Sequence, residues 1–88
     1  MKLDIIVDGA AGRIWAETEH GEAELNYKIK DGYMTIYHTG TPVEDRGHGI
    51  AESIADRAFA YAKEKHLRIV PACPYIQHYI KKNRITQY

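Results

Sequence analysis

The spacing of apolar residues changes near Thr39, and this change restricts the folds open to the chain. Before Thr39, apolar and polar residues alternate, which is typical of strands with one buried and one solvated face. The clearest series is Ala23, Leu25, Tyr27 and Ile29. After Thr39, apolar residues recur at helical spacing, as in a helix that covers a core. The order of these two patterns predicts an α+β fold.

Strands are predicted in the first part of the chain over residues 3–8, 13–18, 23–30 and 33–38. Asp31-Gly32 has the composition of a tight turn, so the last two of these strands are expected to form a hairpin. The fourth strand carries apolar groups on both faces: Met34 and Ile36 on one, Tyr33 and Tyr37 on the other. That pattern predicts a central strand covered on both sides.

The second part of the chain predicts a helix over 49–65, a short strand over 67–73 and a last helix that begins at Pro74. The new strand is expected to run parallel to the fourth strand, because the helix between them forms a right-handed crossover. Since 88 residues leave no room for a second core, we expect one domain over 1–88. Its mixed sheet has antiparallel strands followed by a βαβ unit and a C-terminal helix.

The composition argues against several classes of partner. Twelve Lys and Arg residues balance twelve Asp and Glu residues, so the chain lacks the excess of cations that nucleic-acid binding normally needs. Cys73 is the single cysteine, which excludes an internal disulfide, and the histidines show no spacing typical of metal ligands. With no apolar run as long as a membrane span and no signal-peptide stretch, a cytoplasmic location is expected. Zero net charge is compatible with a monomer or a weak homodimer.

The loop Arg46-Gly47-His48-Gly49-Ile50-Ala51 lies between the fourth predicted strand and the long helix. Gly47 and Gly49 allow the backbone to approach a ligand closely and to point successive N–H groups outward. The positive end of the helix dipole lies at the same point. These properties are typical of a pyrophosphate site. The simpler alternative is that the two glycines only shape the turn before the helix.

A wider pattern resembles the GNAT superfamily of N-acetyltransferases, and in particular its small single-domain branch. The pattern consists of His38-Thr39, Pro42, Arg46 to Ala51, Val70-Pro71-Ala72-Cys73-Pro74-Tyr75 and Tyr79. This resemblance implies a GNAT-like fold and acetyl-CoA or free coenzyme A (CoA) as the cofactor. It also implies cofactor contacts from Arg46, Gly47, His48, Gly49, Ile50 and Ala51. Pro71 lacks an N–H for a ladder bond, so it would either help to splay the parallel strands and leave backbone groups for the pantetheine arm, or simply end the strand.

Cys73, His38 and Tyr79 are the candidates for the chemistry. Cys73 precedes the last predicted helix, whose N-terminus favours the thiolate form. It would either accept the acyl group and pass it on, or pack as a small apolar residue. Direct transfer to an amine instead requires a base for the amine and an acid for the departing thiolate. His38, at a strand end, is the candidate base, and Tyr79 or Tyr75 is the candidate acid.

The sequence therefore predicts an acetyl-CoA-dependent N-acetyltransferase that acts on an unidentified amine. Full-sized members of the superfamily usually have extra helices after the first strand that shape the acceptor site, whereas here only residues 9–12 separate the first two predicted strands. The resemblance therefore implies an open acceptor side. An open side suits a protein or peptide amine, or a dimer that completes the site. The alternative is a non-catalytic module that binds or senses CoA, which needs the glycine loop but not Cys73, His38 or Tyr79. A structural domain without a ligand is the third possibility.

Overall fold

The structure is a computed structural model that describes residues 3–88, so Met1 and Lys2 of the predicted domain lie outside the described residues. Within residues 3–88 the elements are β1 (Ile6–Asp8), β2 (Arg13–Thr18), β3 (Gly21–Lys30), β4 (Tyr33–Gly40), α1 (Ile50–Glu64), β5 (Arg68–Pro71) and α2 (Pro74–Lys82). A 3-10 turn, Val43–Asp45, lies between β4 and α1. Neither of these two helices has both the length and the apolarity needed to cross a membrane.

The strands form one mixed sheet in the order β1-β2-β3-β4-β5. The pairs β1–β2, β2–β3 and β3–β4 are antiparallel. β4 and β5 pair in parallel, from Tyr33 opposite Arg68 to Ile36 opposite Pro71, and α1 connects them. The predicted α+β fold, with antiparallel strands, a βαβ unit and a final helix, is confirmed.

The hairpin between β3 and β4 turns at Asp31-Gly32, as predicted. Both residues have a left-handed backbone, with φ of 53° at Asp31 and 81° at Gly32. Two successive left-handed residues match the twist of the flanking strands in a two-residue turn. The turn aligns Lys30 with Tyr33 and so sets the register of the hairpin as far as Tyr27 opposite Ile36.

The hydrophobic core lies on one face of the sheet. Ala55, Ala58 and Ala62 of α1 are fully or almost fully buried there, and their small side chains allow the helix to approach the strands closely. The core residues from the sheet are Ile14, Ala16, Ala23, Leu25, Tyr27, Met34, Ile36 and Ile69. The core residues from α2 are Ile76, Tyr79 and Ile80. Both helices therefore cover the same face.

The prediction that β4 is covered on both sides is wrong. Met34 and Ile36 are fully buried, whereas Tyr33 and Tyr37 are 53% and 47% exposed. The outer face of β4 stays open because α2 joins the same core as α1 instead of forming a second layer. Tyrosine tolerates this position because its ring can lie on a surface while its hydroxyl stays in water. Ile29, at the hairpin end of β3, is also exposed.

Candidate functional site

β4 extends further than its partner β5. The parallel pairing ends where Ile36 lies opposite Pro71, and the Ala72 N–H donates to the Ile36 carbonyl at 3.0 Å. β4 continues to Gly40 and pairs there with β3 only, among the residues described. The register shift places Tyr37 opposite no residue of β3, which is a β-bulge. A gap therefore opens between the end of β4 and the start of α2.

The glycine loop leads directly into α1. Gly47 and Gly49 have φ values of 85° and 76°, in the region that favours glycine. The first helical hydrogen bond runs from the Ser53 N–H to the Gly49 carbonyl, at 3.0 Å. The N–H groups of residues 50–52 therefore have no acceptor within the helix, and no side chain caps them at Gly49. They form a positive helix end suited to an anion.

The loop, the end of β4 and α2 enclose a pocket of about 570 Å³. The pocket is lined by Thr39, Gly40, Thr41, Asp45, Arg46, Gly47, Gly49, Ile50, Ala51, Glu52, Tyr75 and Lys82. Five predicted cofactor residues are thus brought together, namely Arg46, Gly47, Gly49, Ile50 and Ala51. His48 and Pro71 do not line the pocket: His48 is exposed, and Pro71 ends β5. A larger pocket of about 760 Å³ lies elsewhere, between α1, β5 and the end of the chain.

Positive groups at the pocket are already held by the protein. Arg46 Nε donates to the Thr41 carbonyl at 3.3 Å, which folds the arginine back along its own loop. Lys82 Nζ lies 3.1 Å from Glu52 Oε2, so the end of α2 is tied to the first turn of α1. Of the basic residues at the end of α2, Lys82 lines the pocket.

Cys73 lies at the inner end of the gap between β4 and α2. It is the residue immediately before α2, and its side chain is buried. Its Sγ is 3.4 Å from Thr39 Oγ1, and Thr39 in turn lines the pocket. The thiol is therefore packed in the core and contacts the pocket wall through one hydroxyl.

The two candidate tyrosines of α2 have different surroundings. The Tyr79 hydroxyl donates to Asp56 Oδ1 of α1, and burial together with this carboxylate raises the pKa of Tyr79 well above its ordinary value. Tyr75 lines the pocket instead, and its pKa is raised by burial first and then by the charges of Glu52 and Asp56. Tyr75 is therefore the tyrosine of this pair that faces the candidate cofactor site.

His38 lies on the exposed outer face of the sheet. Its Nε2 is 3.8 Å from Glu24 Oε2 on the neighbouring strand β3. Among the described residues, no hydrogen bond joins His38 to Cys73 or Tyr79. The three candidate catalytic residues thus lie in three different places. His38 lies on the outer face of the sheet, Cys73 at the inner end of the gap between β4 and α2, and Tyr79 in the helical layer.

Sequence reasoning missed Asp45, which is 4% exposed and is the buried charged residue among those described. Its carboxylate accepts hydrogen bonds from the Thr18 hydroxyl at 2.7 Å and from the His20 N–H at 3.2 Å, and it contacts His20 Nδ1 at 2.9 Å. Glu19, His20 and Asp45 offer possible metal ligand atoms within 4.8 Å of one another, although both oxygens of Asp45 already contact protein donors. The spacing of residues along the chain did not reveal this group, because Asp45 comes from the 3-10 turn whereas Glu19 and His20 come from the distant β2–β3 hairpin.

Comparison with known proteins agrees with this geometry. Residues 13–88 match the family model described as GCN5-related N-acetyltransferase. The chain is 36% identical over 70 residues to Protein NATD1 of Gallus gallus and to that of Homo sapiens, which covers 78% of this chain. It spans 64% and 62% of the length of those two relatives.

The fold itself has a solved counterpart. The NMR structure of a GCN5-like protein from Staphylococcus aureus superposes with a TM-score of 0.74 and 24% identity. The match covers 92% of this chain and 80% of that one. With the family model and the NATD1 relatives, these observations show that the chain belongs to the GCN5-related N-acetyltransferase (GNAT) family.

Proposed function

We propose that this domain binds acetyl-CoA in the pocket at the glycine loop and transfers the acetyl group to an amine, with a protein or peptide amine as the expected acceptor. One observation carries the proposal. The residues with uncapped N–H groups at the start of α1 line the same pocket as the end of β4, which is paired with β3 but no longer with β5. An anion site beside an open strand edge matches a cofactor with a pyrophosphate and an amide-containing arm.

The loop fits the phosphate end of the cofactor. Gly47 and Gly49 need no side-chain space, and a Cβ atom built on either would meet no atom within 4 Å, so the front of the loop is open. The dipole of α1 favours negative charge there. Lys82 is the cation that α2 contributes to the pocket, and a bound phosphate would compete with Glu52 for it.

The gap beyond Ile36 fits the pantetheine arm. An arm with two amides needs donors and acceptors along an extended path, and an unpaired strand edge offers both. The last bond of the parallel ladder comes one residue after Pro71, from the Ala72 N–H to the Ile36 carbonyl. The nitrogen of Pro71 therefore faces away from β4, on the free edge of β5, where proline is tolerated. Pro71 ends β5 and lies outside the pocket lining.

Bound acetyl-CoA supplies a thioester whose acetyl group is activated for attack by an amine. An ordinary lysine-like amine must lose a proton first, which costs about 4.6 kcal/mol at pH 7. His38, beside Glu24 on the open face, is the proposed base. Tyr75 is the proposed proton donor to the departing thiolate, because it lines the pocket and its raised pKa keeps it protonated at neutral pH.

The open face of the sheet is the proposed approach of the acceptor. On this face Arg13 donates to Glu22 at 2.6 Å and to Glu24 at 2.7 Å, with its guanidinium 4.8 Å from the centre of the Trp15 ring. The carboxylates of Glu22 and Glu24 therefore already bind one cation, the guanidinium of Arg13. A cationic acceptor would meet the same carboxylates near His38.

A second candidate function is a non-catalytic CoA-binding module. It is favoured by the state of two candidate catalytic groups: Cys73 is packed in the core, and the Tyr79 hydroxyl is engaged by Asp56. Such a module would keep the glycine loop and would not need His38 or Tyr75.

The proposal is tested by comparing Gly49→Ala with Gly32→Ala. Both glycines have similar positive φ, 76° and 81°, and both have open space at Cβ, so each change should cost about 1–2 kcal/mol of stability through backbone strain. For the wild type, acetyl-CoA at 100 times its dissociation constant should add about 2.7 kcal/mol to the free energy of unfolding. Gly32→Ala should keep this thermal shift, and Gly49→Ala should lose most of it.

ATP serves as the control for unspecific binding of phosphates. A shift with acetyl-CoA and with CoA, but not with ATP, supports the proposed pocket. The absence of any shift with either CoA species in the wild type, or an equal loss in the two glycine variants, contradicts it.

A further inference from the structure

The start of the glycine loop is fastened to the β2–β3 hairpin by a buried carboxylate. We propose that Thr18, His20 and Asp45, here called the Asp45 cluster, position the CoA loop and that protonated His20 compensates the charge of Asp45 beside the cofactor phosphates. This inference rests on the proposed function, since it assigns residues that regulate the same pocket.

The geometry of the Asp45 cluster supports a positioning role. Asp45 ends the 3-10 turn and directly precedes Arg46 and Gly47. Its N–H donates to the Pro42 carbonyl at 2.9 Å, while its carboxylate accepts from Thr18 at 2.7 Å. The backbone before the loop is therefore held from two sides, whereas the glycines that follow have no side chains to hold them. A loop preorganised in this way binds with a smaller loss of entropy.

The charge of Asp45 makes its position costly for an anionic ligand. Asp45 lines the pocket in which the pyrophosphate would lie, and like charges at such short range repel. The hydrogen bond from Thr18 first, and then that from His20, lower the pKa of Asp45, so it is ionised at neutral pH. A positive partner is therefore needed to make the pocket attractive to phosphate.

His20 is that partner, and it is in contact with solvent. Its side chain is 42% exposed, and its Nδ1 lies 2.9 Å from Asp45 Oδ1. The hydrogen bond to Asp45 raises the pKa of His20 above its ordinary value, and the charges of Asp45, Glu19 and Glu44 act in the same direction. The imidazole is therefore charged below this raised pKa and neutral above it.

The other charged groups that line the pocket are Arg46 on the loop, Glu52 on α1 and Lys82 on α2. The loop also carries the exposed His48. Glu19 and Glu44 flank the Asp45 cluster along the chain and make its surroundings more negative. Loss of the proton from His20 therefore adds one uncompensated negative charge next to the phosphates. Cofactor affinity should fall as pH rises through the pKa of His20.

The test measures the dissociation constant of dephospho-CoA by calorimetry at about pH 6 and about pH 8.5. Dephospho-CoA is used because the 3′-phosphate of CoA itself titrates near pH 6. Wild-type affinity should fall about fivefold between the two pH values. His20→Gln should lose most of this change and bind near the weaker wild-type value. Asp45→Asn removes the negative charge and should bind more tightly than the wild type at about pH 8.5, where neutral His20 no longer compensates Asp45.

Two further variants separate charge from structure. Thr18→Val removes one hydrogen bond to Asp45 and should weaken binding while it keeps the wild-type pH dependence. His66→Asn removes an exposed histidine outside the pocket, at a backbone position with φ of 57° that asparagine tolerates. It should behave as the wild type. A flat wild-type profile, or an unchanged profile in His20→Gln, overturns the proposal.

A measurement without ligand distinguishes this proposal from the proposed function. In NMR spectra of the free protein, the reference and the His20→Gln variant both carry His48→Asn, because the imidazole of His48 lies between Gly47 and Gly49 and also affects their amide signals. In this background the two amide signals should shift with the titration of His20, and they should not shift in His20→Gln. If the wild type binds no dephospho-CoA at either pH, the proposed function fails and charge compensation fails with it. If dephospho-CoA binds but neither the amides nor the affinity follows His20, only the Asp45 cluster is refuted.

Discussion

Cys73 and Tyr75 are two residues apart at the start of α2, yet their surroundings assign them different roles. Cys73 is buried against Thr39, as expected of a small apolar residue, while Tyr75 faces the pocket. Tyr79, one turn further along α2, is buried and bonded to Asp56. At the scale of single residues, orientation on α2 therefore places Tyr75, the proposed proton donor, at the pocket, while Cys73 and Tyr79 are buried in the core. Direct transfer with Tyr75 as acid is the mechanism that these positions favour.

Substitution of the three residues should separate their roles. Tyr75→Phe should lower kcat about 10²-fold, because a proton donor is removed. Tyr79→Phe should leave kcat nearly unchanged and cost about 1–3 kcal/mol of stability, because Asp56 loses its donor. Cys73→Ala should keep turnover, measured as thiol released from acetyl-CoA with peptide amines. Loss of turnover in Cys73→Ala, with labelled acetate trapped on the wild-type thiol, would instead show transfer through an acyl-enzyme.

At the scale of elements, α1 determines the shape of the site. Its N-terminus faces the pocket, and its alanine side packs against the sheet at the level of Ala55, Ala58 and Ala62. Small residues at these positions bring the helix close to the strands, which sets the distance between the glycine loop and the end of β4. A larger residue on this side would move the helix and would change both stability and the pocket.

Ala58→Leu and Ala60→Leu test this role within one helix. Ala58 is fully buried, so the leucine must displace its neighbours, and the free energy of unfolding should fall by about 1–3 kcal/mol. Ala60 is exposed on the same helix, and its change should stay within about 0.5 kcal/mol. Urea unfolding measures both. Equal effects in the two variants would show that close packing of α1 is not required.

At the scale of the whole molecule, the protein is a sheet with helices on one face. The other face of the sheet is open, and it carries His38 and the ion pairs of Arg13. Covering only one face limits the apolar area that a chain of 88 residues can bury. The same arrangement leaves His38 exposed on the outer face, where the proposed acceptor would approach.

The one-sided arrangement predicts opposite outcomes for two neighbouring residues of β4. Met34→Ala removes a fully buried side chain and should cost about 2–5 kcal/mol in the free energy of unfolding. Tyr33→Ala changes a residue that is 53% exposed and should cost less than about 1 kcal/mol. Denaturant titration of the two variants provides the comparison. A large loss for Tyr33→Ala would indicate that the outer face is covered in solution.

Several parts of the fold and site were predictable from local patterns. The strand over 13–18, the turn at Asp31-Gly32 and the glycine loop before α1 were all placed correctly, because each depends on residues only a few positions apart. The loop residues Arg46, Gly47, Gly49, Ile50 and Ala51 were expected together and line one pocket. Alternation and helical spacing are properties of the chain itself, so the sequence alone determined them.

Tertiary packing decided the remaining features. The sequence did not reveal that α2 packs on the same side as α1, and the pattern of β4 therefore suggested two covered faces where one exists. It did not decide whether Tyr75 or Tyr79 faces the pocket, since the rotation of α2 depends on the elements that it packs against. It gave no sign of Asp45, because Thr18 and His20 are separated from it by 27 and 25 positions. Contacts between distant segments depend on how the core packs, and the periodicity of residues along the chain does not specify that packing.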